Sequence, residues 1–243
     1  MKLFRIGFFL RTAMAGVAFA GAFASTASAQ GFDGSAYAFA VPDFGPSMSA
    51  LVLGSGPAPA IDPDAARALH FTSTPAAHDS VLANVADFLA HGDRNAAPGI
   101  RGTLASSDVL AQFDGVLQQY GWNKDDLADV YAAYLVMSWE VINGGDATEH
   151  VPGIAAVRAK VRQALAANAK LRGLGDTDKQ KAAETLAYLA VIASASQDTP
   201  AMVRDPASMA KLRAGVSKTT AGVTHMNLKG VRLTDAGFSA AGK

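Results

Sequence analysis

The stretch 123-NKDDLADVYAAYLVMSWEVINGG-145 decides the fold. Asn123 reads as a helix N-cap, and Asp125 and Asp126 place negative charge in the first turn, beside exposed amides and the positive end of the dipole. Asn143-Gly144-Gly145 reads as the stop. Advancing about 100° per residue spreads Leu127, Val130, Tyr131, Tyr134, Leu135, Met137, Trp139, Val141 and Ile142 over an arc of about 200°. So wide an apolar arc requires neighbours on several sides, which puts this helix at the centre of a bundle.

Working outward, the same period recurs. A helix is expected from about Pro75 to Ala90 on Leu82, Val85, Ala86 and Leu89, with Gly92 beyond its end. A second starts near Ser107 and carries Val109, Leu110, Phe113, Val116, Leu117 and Tyr120 until Gly121. After the central helix, a fourth follows Pro152 on Ile154, Val157, Val161 and Leu165 and ends at Arg172-Gly173. A fifth opens at Thr177, whose hydroxyl with Gln180 three residues on suggests a capping box, and runs through Leu186, Leu189 and Ile192. A sixth takes Asp205 as cap and Pro206 at its first position, and reaches about Thr219. The short connections point to an all-α domain, residues 74–243, built as a single antiparallel bundle of about five to six helices.

Upstream the character changes. Lys2, Arg5 and Arg11, an apolar run from Ala13 to Ala24 and the small residues Ala27-Ser28-Ala29 have the form of a cleaved signal peptide, residues 1–29, and imply export to the periplasm or exterior. Residues 30–73 are rich in Gly, Pro, Ala and Ser and read as a flexible arm, within which Tyr37-Ala38-Phe39-Ala40-Val41 alternates like a strand edge.

Composition excludes several classes. Residues 1–29 hold three of the 21 basic residues and none of the 21 acidic ones, so the remainder has 18 basic against 21 acidic, a net −3. No basic patch marks a nucleic-acid binder. Beyond the leader no apolar run is long enough for a membrane span. The absence of cysteine rules out disulfides, cysteine-ligated metals and a thiol nucleophile, and Gln30 stands where a lipoprotein would need its acylated cysteine.

No metal, cofactor or catalytic motif emerges. His70, His78, His91, His150 and His225 are scattered, none at ligand spacing from another, and read as surface or cap residues. Asp129 and Glu140 project away from the apolar arc toward solvent or a groove edge. Glu184 shares with Gln180 a stripe on a largely apolar helix, where a half-buried carboxylate needs a partner, and Arg158 and Arg162 of the fourth helix are the expected ones. Trp139, Tyr131 and Tyr134 read as core, with the lining of an apolar pocket as the alternative.

Three segments together resemble a bacterial family of exported, mainly helical proteins of unknown function: Asp126-Leu127-Ala128-Asp129 with Ala132-Ala133-Tyr134, Trp139 and Asn143-Gly144; Lys179-Gln180 with Ala183-Glu184-Thr185-Leu186; and Leu233-Thr234-Asp235-Ala236-Gly237-Phe238. The resemblance spans roughly residues 80 to 240 and implies no activity, cofactor or metal. It directs attention to Asp129, Trp139, Asn143, Gln180 and Glu184, and implies that the tail returns to the bundle with Phe238 as anchor. The expectation is a non-enzymatic binding protein with a protein or surface partner. A hydrolase using carboxylates in a groove between the third and fifth helices is one alternative, and a carrier of an apolar small molecule is the other.

Overall fold

The computed structural model describes residues 46–54, 60–90 and 93–240. Eleven α-helices, one 3-10 turn and a two-stranded hairpin are found among them. In chain order the helices are α1 (Pro46–Val52), α2 (Pro63–Arg67), α3 (Pro75–Leu89), α4 (Ala97–Ser106), α5 (Val109–Gln119), α6 (Leu127–Asn143), α7 (Val151–Ala167), α8 (Ala169–Arg172), α9 (Asp176–Gln197), α10 (Pro200–Arg204) and α11 (Pro206–Thr224). Strands β1 (Arg232–Thr234) and β2 (Gly237–Ser239) pair antiparallel, with Leu233 opposite Phe238.

Helices α6 and α9 form the centre. Every residue of α6 from Leu127 to Ile142 is buried, and α9 is buried almost continuously from Lys179 to Ser194. They make the most extensive helix–helix contact of the fold. Helices α7 and α11 also pack on α6, α3 and α5 on α9, and α4 on α3. A helix apolar on all sides has no solvent face to present and must be enclosed, which is why the stretch 123–145 organises everything else.

The N-cap of α6 is Asp126, and not Asn123 as the sequence suggests. Asp126 Oδ1 accepts from the amides of Ala128 at 2.9 Å and Asp129 at 3.2 Å. Asn123 instead caps the preceding turn through the amide of Asp125. At the other end Gly144 adopts φ 68° and its amide reaches the Glu140 carbonyl at 2.8 Å. The anticipated capping box on α9 is also absent. The N-cap is Gly175, and Gln180 gives its buried side chain to a different partner, described below. For α11 the expected Asp205 cap is present, accepting from the Ala207 amide at 3.0 Å, and the helix continues to Thr224.

Part of the stretch expected as a flexible arm is packed. Helix α1 lies on α7 with Met48 and Val52 buried, and Leu69 and Phe71 join the same core. The leader and the segment Tyr37–Val41 lie outside the described residues. Helix α4 went unread because Pro98, Gly99 and Gly102 resemble a loop. Pro98 sits in the first turn, where the missing N–H breaks no bond, and the helix buries only Ala97 and Leu104.

The C-terminal segment returns to the bundle. Trp139 Nε1 donates to the Val231 carbonyl at 2.8 Å, Asn143 Nδ2 donates to that of Leu228 at 3.0 Å, and the Gly230 amide donates to Asn143 Oδ1 at 2.9 Å. Phe238 is fully buried, its ring 6.4 Å from that of Trp139. The hairpin also meets α7 backbone to backbone. A Cβ on Gly153 would stand 2.0 Å from the Thr234 carbonyl oxygen, so no side chain fits there. Gly153→Ala should therefore lower stability by about 1–3 kcal/mol, and Phe238→Ala by about 3–5 kcal/mol. Urea unfolding of the two variants measures both, and an unchanged midpoint for Phe238→Ala would show that the tail does not anchor the domain.

Candidate functional site

The site is built on a strap, Leu69 to Thr74, that crosses the N-terminal ends of the two central helices. The Leu127 amide donates to the Leu69 carbonyl and the Phe71 amide to that of Asp125, each at 3.0 Å, making an antiparallel bridge between His70 and Asp126. Further along, the Thr72 amide reaches Asp176 Oδ2 at 3.0 Å. Gln180 then grips Thr74 at both of its backbone groups. Its Oε1 accepts from the Thr74 amide at 2.7 Å, and its Nε2 donates to the Thr74 carbonyl at 2.9 Å.

Thr74 is also the N-cap of α3, so Gln180 fixes where that helix begins. One turn on stands His78. Its Nδ1 lies 2.9 Å from Glu184 Oε2, and Glu184 Oε1 accepts from Gln180 Nε2 at 2.8 Å. The result is a continuous row, Thr74–Gln180–Glu184–His78, whose inner member Gln180 is 1% exposed. An ionised carboxylate only accepts, so Nδ1 carries a proton, and Nε2 holds a lone pair in the neutral ring. Among the described residues Nε2 has no protein partner. Burial, and then the neighbouring Glu184 charge, push the Tyr188 hydroxyl one turn further along α9 up to about 12.

The row borders an open groove of about 530 Å³. Phe71, Leu110, Phe113, Val130 and Ala187 give it apolar walls, and Ser73, Asp114, Lys124 and Asp125 stand with His78 and Glu184 as its polar groups. Helices α3, α5 and α9 and the strap supply most of these residues, and Lys124, Asp125 and Val130 come from the turn before α6 and from α6 itself.

A second polar assembly lies at the start of α6 and is closed. Arg158 grips Asp129 with two bonds, Nε to Oδ1 at 2.6 Å and Nη2 to Oδ2 at 2.8 Å. Arg162 Nη2 reaches Asp129 Oδ1 at 2.7 Å and Asp126 Oδ2 at 2.8 Å. The Asn123 amide adds a bond to Asp129 Oδ2 at 2.9 Å, and the Arg158 guanidinium stands 5.4 Å over the Trp122 ring. Burial alone would raise the Asp129 carboxyl, but the bonds from Arg158, Asn123 and Arg162 outweigh it and hold the pKa below the ordinary carboxylate value.

These contacts correct two expectations. Asp129 does not face solvent or a groove edge: it is 1% exposed. Glu184 does not pair with Arg158 or Arg162, which Asp129 and Asp126 hold, but with His78, which the sequence suggested as a surface or cap residue. Asp129 and Glu184 therefore belong to separate assemblies. Glu140 likewise turns inward, its Oε1 accepting from the Ala147 amide at 2.9 Å. Trp139 and Asn143 hold the C-terminal segment, and the indole lies so close to Gly145 that a Cβ there would be 2.3 Å from it, leaving no ligand space on that face. No group of three or more His, Cys, Asp or Glu side chains able to hold a metal occurs among the described residues.

Among the groove-lining residues, the sequence does not single out Phe71, Ser73, Asp114 and Lys124, while it presents Asp125 as a first-turn charge and His78 as a surface or cap residue. His78 and Glu184 lie 106 positions apart, so no local spacing announces the pair. The readable trace was the i, i+4 relation of Gln180 and Glu184, which already marked one stripe of α9.

Fold and site together define an all-α domain carrying one polar row on the rim of an apolar groove. Residues 46–234 match the family described as Family of unknown function (DUF6683), and the chain belongs to that family. The matched region starts at α1, earlier than the resemblance in sequence implied, and so takes in the helices of the supposed arm. No curated protein and no solved structure matches the chain.

Replacing Asp129 should expose the weight of the closed assembly. Asp129→Asn leaves Arg158 without its charge partner and Arg162 with Asp126 alone, and should cost about 3 kcal/mol at pH 7, the low end for a buried pair because Arg158 is about one-third exposed. The folded-state pKa of Asp129 is depressed, so its stabilisation is fully present above the unfolded value of about 3.9 and is lost as pH falls through the folded value. Urea midpoints should accordingly fall less steeply below about pH 4 in Asp129→Asn than in the wild type.

Proposed function

We propose that this protein is an exported, non-enzymatic binding protein that takes a small molecule in the groove between α3, α5 and α9. The observation that carries the reading is the groove itself. Its volume of about 530 Å³ falls in the range of small-ligand sites, its walls are apolar, and its polar groups are few and fixed. The buried Gln180 clamp holds the rim in place before any ligand arrives, so little ordering cost attends binding.

Other readings have less support. A hydrolase built on Asp129 and Glu184 has no geometry behind it, because Asp129 is committed to two arginines and does not line the groove. A large protein interface would use a contiguous apolar patch, whereas the large apolar side chains left exposed among the described residues are Val151 and Val203. Export rests on the basic start, apolar run and Ala27-Ser28-Ala29 of the leader.

The test is native mass spectrometry of the protein recovered from the exported fraction of its own host, at natural abundance. The expected species is a chain beginning at Gln30 that carries an additional small mass. Ala111 is exposed on the groove wall, so Ala111→Trp fills the groove without crowding the core and should remove that mass while leaving the melting temperature unchanged. A wild-type chain with nothing bound overturns the small-ligand reading, a chain retaining residues 1–29 overturns cleavage of the leader, and absence of the chain from the exported fraction overturns export.

A further inference from the structure

We propose that the groove recognises an organic ammonium ion with an aromatic or branched aliphatic body, an inference that rests on the groove being a ligand seat. Three independent features of the lining point to this chemistry. The first is the sign of the charges. Asp114, Asp125 and Glu184 line the groove against a single lysine, Lys124, so its wall carries more carboxylate than ammonium. No arginine lines the groove among the described residues, and Arg158 and Arg162 are taken up by Asp126 and Asp129.

The second feature is hydrogen-bond polarity. Glu184 accepts from His78 Nδ1, so in the neutral ring Nε2 offers a lone pair to an N–H or O–H donor. The carboxylates are equally acceptors. Asp125 takes one bond from Ser73 Oγ at 2.6 Å and Asp114 one from Gln118 Nε2 at 2.9 Å, which leaves most of their lone pairs open. A carboxylate or phosphate ligand would bring acceptors to acceptors, with Lys124 alone to answer it. An ammonium brings three donors and the complementary charge.

The third feature is the apolar wall. Phe71, Leu110, Phe113 and Val130 offer a surface for a body of one or two rings, and the volume admits such a molecule whole. The polar row fixes where the charged end sits, because Glu184 and His78 cannot swing away: Gln180 holds the first and the first holds the second.

The experiment uses the mature full-length chain and three indole probes of nearly equal size: tryptamine, its neutral alcohol counterpart tryptophol, and the anionic indole-3-propionate. Isothermal titration calorimetry at pH 7.5 should show tryptamine binding at least tenfold tighter than tryptophol, the size of one charge-assisted hydrogen bond, and no binding of indole-3-propionate. Glu184→Gln should weaken tryptamine about tenfold and leave tryptophol unchanged. Asp125→Asn, at the half-exposed rim where folding is not at risk, should weaken tryptamine severalfold in the same selective way. Ala111→Trp should abolish binding of every probe.

Equal or tighter binding of tryptophol or indole-3-propionate, lost in Ala111→Trp, overturns the ammonium preference and leaves the seat standing. Tryptamine binding that neither Glu184→Gln nor Asp125→Asn weakens also overturns it. If no probe binds and the native protein carries no small molecule, both the ammonium preference and the seat are overturned.

Discussion

The Asp129 carboxylate, gripped from two sides by Arg158 and Arg162 at the buried start of α6, is the interaction on which the rest of the structure depends. A charge at that depth is tolerated only with partners that answer nearly all of its lone pairs, and here two guanidinium groups and the Asn123 amide do so. The same cluster sets relations between elements far apart in the chain. It fixes α7 against α6, it holds Asp126 where that residue can cap α6, and Asp126 in turn stands beside His70 of the strap. The apolar contacts among these helices supply the bulk of the stabilisation, but they are non-directional, and the ion cluster is what selects one axial position of α7 along α6.

The groove inherits its shape from that corner. Once the strap is paired with residues 125–127, its far end reaches the first turns of α9, where Gln180 meets the backbone of Thr74 on both sides. Helix α3 then starts at a fixed point and delivers His78 to Glu184. The position of one imidazole is thus the last link in a chain of hydrogen bonds that begins at the capped end of α6. A site supported in this way has its polar groups in place before a ligand arrives, while its walls remain ordinary core-edge side chains.

The centre of the fold was legible in the sequence and the site largely was not, for a physical reason in each case. Burial of α6 follows from the angular spread of its own side chains, a local property of the stretch 123–145, and the hydrophobic period placed α3, α5, α7, α9 and α11 nearly as well. Caps were read less well, because Asn123, Asp125 and Asp126 are all chemically competent and only the strap, arriving from residue 70, decides among them. Helix α4 hid behind a proline and two glycines, and α1 behind a composition that resembles a linker. The site failed at the level of pairing. The i, i+4 relation of Gln180 and Glu184 identified the right stripe, yet arginine and histidine were equally acceptable partners for its carboxylate. A contact over 106 positions leaves no trace in spacing.

The meeting of Gly153 with the Thr234 carbonyl has a consequence in time as well as in space. The segment 228–231, which leads into the hairpin, bonds to Trp139 and Asn143 across 85 to 92 positions. A chain that emerges N-terminus first therefore cannot close the far end of α6 until residues 228–231 have been made, since the carbonyls that receive the Trp139 indole and the Asn143 amide do not yet exist. Until then the indole and the neck of α7 remain open to solvent or to whatever accompanies the nascent chain.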